Sequence, residues 1–172
     1  MATTYEAIAT VTVGSGGAAN IEFTSIPGTY TDLVLKLSAR TNRTSTTNNC
    51  FIQFNNNTSA VYSNRNLQGD GSSATSSSDA SAAEAYIGAV VGNTATASTF
   101  GNLEIYIPNY AGSTNKSFSS DQVNENNATA AISNLVAGLW ANTAAITSLK
   151  INAVTFNFVQ YTTATLYGIK NS

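Results

Sequence analysis

Nine carboxylates and one thiol, Cys50, are the side chains of this sequence best suited to acid–base or nucleophilic chemistry, because it has no histidine. Without an imidazole no Ser-His-Asp or Cys-His pair can be assembled, and zinc sites built on histidine are excluded. Two carboxylates facing each other across a cleft suffice for glycoside hydrolysis. Glu84, Glu104 and Asp121 fall in strand-like runs and are the acids that could meet, yet Glu104 alternates onto an outward face. Isolated, solvated carboxylates are the simpler reading, so no enzyme, catalytic residue, cofactor or metal is expected. Asp70-Gly71-Ser72-Ser73 with Asp79 hints at a calcium loop but lacks its alternating acids, and reads as a polar linker. Gly14-Ser15-Gly16-Gly17 lacks the lysine and following helix of a phosphate cradle, and reads as hairpin punctuation. Cys50 opens the strand-like Cys-Phe-Ile-Gln-Phe. It reads as a buried, inert thiol, and being alone it forms no intrachain disulfide.

The elements that must position these residues follow from period-two alternation. In 31–40, Leu33, Leu35, Leu37 and Ala39 share one face while Asp32, Lys36, Ser38 and Arg40 share the other, the pattern of a half-buried strand. Leu103, Ile105 and Ile107 repeat it, as do Leu149, Ile151 and Ala153. Eight main strands are predicted at about 31–41, 49–55, 84–92, 99–108, 115–124, 131–140, 146–156 and 163–170. Two earlier segments, about 3–13 and 18–25, read as an N-terminal hairpin or arm. Residues 128–140 also admit a helix, which Gly138 interrupts. The fold class is therefore all-β: an antiparallel β-sandwich, a jelly roll of about eight strands plus the N-terminal hairpin or arm. The arm is assigned to 1–25 and the sandwich to 26–172. The long link at 56–83 ends in a Ser-rich stretch, 69–83, that reads as a mobile surface loop.

A chain of 172 residues buries roughly 70% of its unfolded surface as one domain. Its net charge of -2 leaves no basic footprint, so neither nucleic acid nor a membrane surface is an expected partner. The start resembles no signal peptide and no apolar run reaches the ~20 residues of a membrane span, which suggests synthesis in a reducing cytosol. The Asn-x-Ser/Thr matches at Asn42, Asn57, Asn115 and Asn127 then follow from composition. Among 8 Tyr, 7 Phe and 1 Trp, those that could stack on sugars or anchor a protein contact matter most. Trp140 reads as core or subunit interface and Phe156 and Phe158 as core. Tyr62, Tyr106, Tyr110 and Tyr161 are the candidates for exposed contact.

Several phrases, in order along the chain, carry a family resemblance. They are Tyr5-Glu-Ala-Ile-Ala-Thr10, Ile21-Glu-Phe-Thr-Ser-Ile-Pro-Gly-Thr-Tyr-Thr-Asp-Leu-Val-Leu35 and Phe51-Ile-Gln-Phe-Asn55. Further on come Ile107-Pro-Asn-Tyr-Ala-Gly-Ser-Thr-Asn-Lys116, Gly138-Leu-Trp-Ala-Asn-Thr-Ala-Ala-Ile-Thr-Ser-Leu149 and Leu166-Tyr-Gly-Ile-Lys170. The chain resembles small virion structural proteins of tailed phages, frequent among phages of cyanobacteria and other aquatic bacteria. The resemblance implies a jelly-roll capsid cement or decoration protein, often a homotrimer, that bridges capsomers. It also admits a tail, fibre or baseplate component that contributes to host glycan binding. Implied partners are copies of itself, the major capsid protein or other virion proteins, and a host glycan. The implied location is the virion, after synthesis in the host bacterial cytoplasm. The contact residues expected on this reading are Tyr5, Ile8, Val11, Val13, Tyr62, Tyr110 and Trp140. The free edges of the N-terminal arm are expected to add strands to a neighbour.

Overall fold

Alternation of apolar and polar residues resolves into twelve strands and no helix in the computed structural model, which describes residues 4–127 and 130–170. The strands are β1 (Tyr5–Thr12), β2 (Asn20–Phe23), β3 (Asp32–Ala39), β4 (Thr47–Phe54), β5 (Tyr62–Gly69) and β6 (Ala74–Ala82). They continue with β7 (Ala85–Val91), β8 (Gly101–Pro108), β9 (Lys116–Asn124), β10 (Ile132–Trp140), β11 (Leu149–Asn152) and β12 (Thr163–Ile169). One antiparallel sheet has the order β1-β12-β3-β8-β9-β10-β5-β6, the other β2-β11-β4-β7.

The pairing pattern identifies the roll. β1 pairs with β12, β2 with β11, β3 with β8 and β4 with β7, all antiparallel. The first four strands thus run beside the last four in reverse order, and successive pairs fall alternately in the two sheets. That is a jelly roll, two four-stranded sheets with Greek-key connections around one core. The hairpins β5–β6 and β9–β10 are insertions after its fourth and sixth strands. They extend the larger sheet past β8 into a wing, β9-β10-β5-β6.

All eight expected main strands are present, and residues 132–140 are strand rather than helix. The roll itself, however, uses a different eight. β1 and β2 do not form a hairpin with each other: one is the outermost strand of the larger sheet, the other of the smaller. The Gly14–Gly17 turn carries the chain from sheet to sheet, with the Gly17 N–H donating to the Gly14 carbonyl at 3.1 Å. Within the described part of 1–25, β1 and β2 are therefore strands of the sandwich, and residues 1–3 of the expected arm lie outside the described residues. A bulge between Ala7 and Ala9 resets the alternation in β1, so that Ile8 and Val11, three residues apart, both pack against the core.

The Ser-rich stretch 69–83 is mostly strand β6, paired with β5 across a tight turn, and not the loop expected from its composition. Asp70 makes that turn. Its carboxylate accepts from the N–H groups of Ser72 and Ser73 at 2.9 and 2.7 Å and from both serine hydroxyls. These bonds hold the Asp70 pKa below the ordinary carboxylate value. Gly71, with φ of +85°, supplies the left-handed position. β6 buries almost nothing, so the backbone ladder and this turn hold it.

The core lies between the roll's two sheets. Leu33, Leu35 and Leu37 of β3 and Ile105 of β8 face Cys50, Ile52, Ile87 and Ile151 of the smaller sheet. Each large side chain buried there contributes roughly 1.5–3 kcal/mol. Burial also pushes the Cys50 thiol pKa up, as expected of an inert cysteine. Under the wing, Phe54, Tyr62, Phe118 and Trp140 form an aromatic cluster, with Trp140 stacked on Tyr62 at 6.4 Å and Phe118 edge-on to Phe54 at 5.6 Å. The Tyr62 hydroxyl accepts the Phe54 N–H at 2.9 Å and donates to the Phe54 carbonyl at 3.3 Å. β4 has run past the end of its pairing with β7, which stops at Ile52–Ala85. The Phe54 carbonyl also accepts the Asn57 N–H at 2.9 Å, so the Tyr62 oxygen chiefly supplies the acceptor that the Phe54 N–H lacks.

Two cations are buried, and Arg40 departs from the outward face that alternation gave it. Arg40 is buried rather than solvated, and its guanidinium donates to the carbonyls of Asn93, Ala95, Thr96 and Thr99 at 2.8–3.1 Å, pinning the β7–β8 loop. Lys116 is also buried, its ammonium capping the carbonyls of Gly112, Thr114 and Thr143. Desolvation lowers both pKa values.

Candidate interaction face

Among the described residues, seven large apolar ones are exposed: Tyr5, Leu67, Tyr106, Val123, Leu135, Val154 and Tyr161. The first five lie on the outer face of the eight-stranded sheet, away from the core. No layer covers that face among the described residues. Cross-strand register shows how the sequence builds it.

At the roll end, Tyr167, Val34 and Tyr106 stand opposite one another on β12, β3 and β8. Tyr5 of β1 packs edge-on to Tyr167 at 6.3 Å. The Tyr106 hydroxyl donates to the Asp32 carboxylate at 2.9 Å, which also accepts the Asn109 N–H at 2.8 Å. This hydrogen bond raises the Tyr106 pKa, and it fixes the ring with one flank bare. Asp32 is buried beneath these groups, not solvated as its place in the alternation suggested.

In the middle of the face, Lys36 pairs with Glu104 at 2.9 Å, and Glu104 stands opposite Asp121 on the next strand. The bond to Glu104 raises the Lys36 pKa. Two of the three acids considered for catalysis therefore do meet. They meet on an open sheet face, with a lysine bound to one of them and no cleft around them. The third, Glu84, is elsewhere and accepts from Asn152 at 2.7 Å. No group of three or more His, Cys, Asp or Glu side chains among the described residues is placed to hold a metal ion.

On the wing, Leu67 of β5 and Leu135 of β10 stand directly opposite, with Asp121 of β9 beyond them. Val123 lies one row along β9, opposite Ser133. Arg65 of β5 faces Ala137 across the ladder. Among the described residues neither Arg65 nor Asp121 has an ion-pair partner, since the salt bridges found are Lys36–Glu104 and Lys170–Glu6. The wing thus presents an apolar stripe flanked by one free cation and one free anion.

Of the seven contact residues expected from sequence, Tyr5 alone is well exposed, at 50%. Ile8 and Val11 are half-buried against the core and Val13 is inside it. Tyr62, Tyr110 and Trp140 are among the largest fully buried side chains. Tyr110 is tied down by its hydroxyl, which donates to the Pro27 carbonyl. Tyr106 and Tyr161, the other two tyrosines assigned to contact, are at the surface. Alternation did not single out Leu67 and Leu135 as exposed apolar residues. The signal was present in Leu135-Val136-Ala137-Gly138-Leu139, where apolar residues occupy both faces of one strand.

Compared with known proteins, the chain matches no family model and no curated protein.

Proposed function

We propose that this chain is a non-enzymatic virion structural protein, a capsid cement that attaches to the shell through the outer face of its eight-stranded sheet. One observation carries the reading: five of its seven exposed large apolar side chains gather on one broad, uncovered sheet face. Clustered exposed apolar side chains rimmed by polar groups mark interaction sites, and here two such groups flank the Lys36–Glu104–Asp121 row. Rigidity supports the reading, because a face built on eight paired strands loses little conformational freedom when it docks. The sparse charge is consistent too: of seven cations, Lys36 and Lys170 are neutralised by neighbouring acids while Arg40 and Lys116 are buried. The ordered family phrases add phage capsid decoration, and assembly as homotrimers, to what the geometry supports.

The contact is assigned to the sheet face and not to a free N-terminal arm, because β1 and β2 are already paired in the two sheets. Quantitative mass spectrometry of purified particles should give hundreds of copies per virion. Leu135 is 56% exposed, so Leu135→Asp leaves the core intact. It should lower particle occupancy by roughly tenfold, the scale of one buried leucine's transfer energy. Unchanged occupancy, or only a few copies per particle, would overturn the reading.

A further inference from the structure

The wing has a second side. The smaller sheet ends at β7, and the inner face of β5 and β6 extends beyond it. A groove opens there, lined by Asn66 and Gln68 of β5, Ser77 and Asp79 of β6, Asn49 and Phe51 of β4 and Tyr86 of β7. Register explains why these residues converge. Asn64 stands opposite Asp79, Asn66 opposite Ser77 and Gln68 opposite Thr75, so beyond Tyr62 the inward row of β5 and β6 is polar. Phe51 stands opposite Tyr86 on the smaller sheet.

One wall is therefore aromatic, with Phe51 and Tyr86 in edge contact at 5.7 Å and the Tyr86 pKa pushed up to about 12 by burial. The other wall is carboxamide and hydroxyl. Asp79 is held from one side by the Asn64 amide at 3.2 Å. Asn66 is 8% exposed, and its Oδ1 has no hydrogen-bond partner in the chain. That oxygen is closed to solvent, and a ligand in the groove meets the amide-nitrogen side of Asn66.

The chemistry of the lining selects the ligand class. Carboxamides offer a donor and an acceptor side by side, which matches adjacent hydroxyls that both donate and accept. The faces of aromatic rings take the C–H side of a sugar ring. No lysine or arginine lines the groove and Asp79 is anionic, so phosphates and acidic sugars are disfavoured. A purely apolar ligand would strand the amides. The cavity volume, about 210 Å³, falls below the ~300 Å³ at which drug-sized pockets begin. It suits a single ring.

We propose that this groove binds one neutral saccharide unit, with Asn66, Gln68 and Asp79 hydrogen-bonding its hydroxyls and the Phe51–Tyr86 pair packing on its ring. The site is on the opposite side of the wing from the interaction face and is independent of the cement reading. The test is a ¹H–¹⁵N titration of the full chain with glucose, galactose, mannose and N-acetylglucosamine, followed by a neutral oligosaccharide array. The expected result is saturable shifts at the amides of Asn66, Gln68, Asp79 and Tyr86 with at least one neutral sugar. Asp79→Ala and Phe51→Ala, both outside the core, should each weaken that binding at least tenfold while still unfolding in one cooperative transition. Ser76→Ala, on the opposite face of β6, should leave it intact. No saturable response from any sugar or array position would overturn the proposal. So would binding that survives both variants, or equal affinity for glucuronate. Particle occupancy of Asp79→Ala separates the two sites: it should stay at the wild-type level whether or not sugar binds.

Discussion

Removing the Tyr62 hydroxyl decides whether this residue is a strut between the sheets or a surface contact. Tyr62→Phe keeps the ring stacked on Trp140 and deletes both bonds to the Phe54 backbone. A net intramolecular hydrogen bond is worth about 1 kcal/mol, and a buried N–H left without an acceptor costs about 1–3 kcal/mol. The two terms overlap, because the stranded N–H is the one whose bond is lost. A destabilisation of about 2–3 kcal/mol follows. For a chain of this size that lowers Tm by roughly 4–12 °C. Urea unfolding followed by tryptophan fluorescence should show a lower midpoint with an unchanged slope, since the surface exposed on unfolding is the same. Tyr106→Phe is the matched comparison. Its hydroxyl bonds Asp32 at the same 2.9 Å, but the ring is 37% exposed, so water can replace the lost partner. A change below about 1 kcal/mol is expected there. Equal costs for the two variants, or a Tyr62→Phe protein as stable as wild type, would refute the view that Tyr62 closes the open edge of β4.

Two further perturbations address the loops. The bonds that hold the Asp70 pKa down stabilise the β5–β6 turn above the unfolded carboxylate value near pH 4, and that contribution is lost as pH falls through the lower folded value. The protection factors of the Ser72 and Ser73 amides should therefore be held at pH 5 and fall in stronger acid, whereas Asp70→Ala should be unprotected at both; a wild-type turn no better protected than the variant at pH 5 would exclude the role. Arg40→Lys keeps the charge but loses the planar fork that spans four carbonyls. It should destabilise the fold by about 2–3 kcal/mol and raise hydrogen exchange across 93–99, and exchange confined to other segments would show that Arg40 does not organise that loop.

Alternation made the roll legible because its strands bury one face each, and Leu33, Leu35 and Leu37 point to the core by spacing alone. What alternation cannot convey is which strand lies beside which. β1 and β2 read as a hairpin because a Gly-rich turn separates two short strands, yet the same turn serves equally to cross between sheets. β6 was lost for the opposite reason. Its side chains bury nothing, so composition gave no sign of a strand held by its backbone, although Asp70-Gly71 was a turn signal. Arg40 and Asp32 followed the outward parity of β3 and still ended up buried, because a loop and a tyrosine cluster cover the ends of that strand. Tyr62, Tyr110 and Trp140 were assigned to contact by residue type. Their environment is set by neighbours far away in sequence, such as Phe54 and Pro27, which no local pattern reveals.

The insertions locate where function should be sought. An eight-stranded roll ends its larger sheet at β8, which would remove Leu67, Val123 and Leu135 from the outer face and every β5–β6 wall from the groove. Both candidate sites thus depend on the wing. The wing also carries most of the unmet hydrogen bonding: Asn66 Oδ1, Gln122 Nε2, Asn124 Nδ2, Asn134 Oδ1 and Trp140 Nε1 are buried on its strands with no partner among the described residues. Apolar residues in their place would avoid a penalty of about 1–3 kcal/mol each. Buried polar groups of this kind call for a reason beyond packing, and local rules are most often broken at functional sites. The roll's inward positions are apolar, whereas those of the wing beyond Tyr62, Phe118 and Trp140 are largely polar, which is why both proposals are built on the wing.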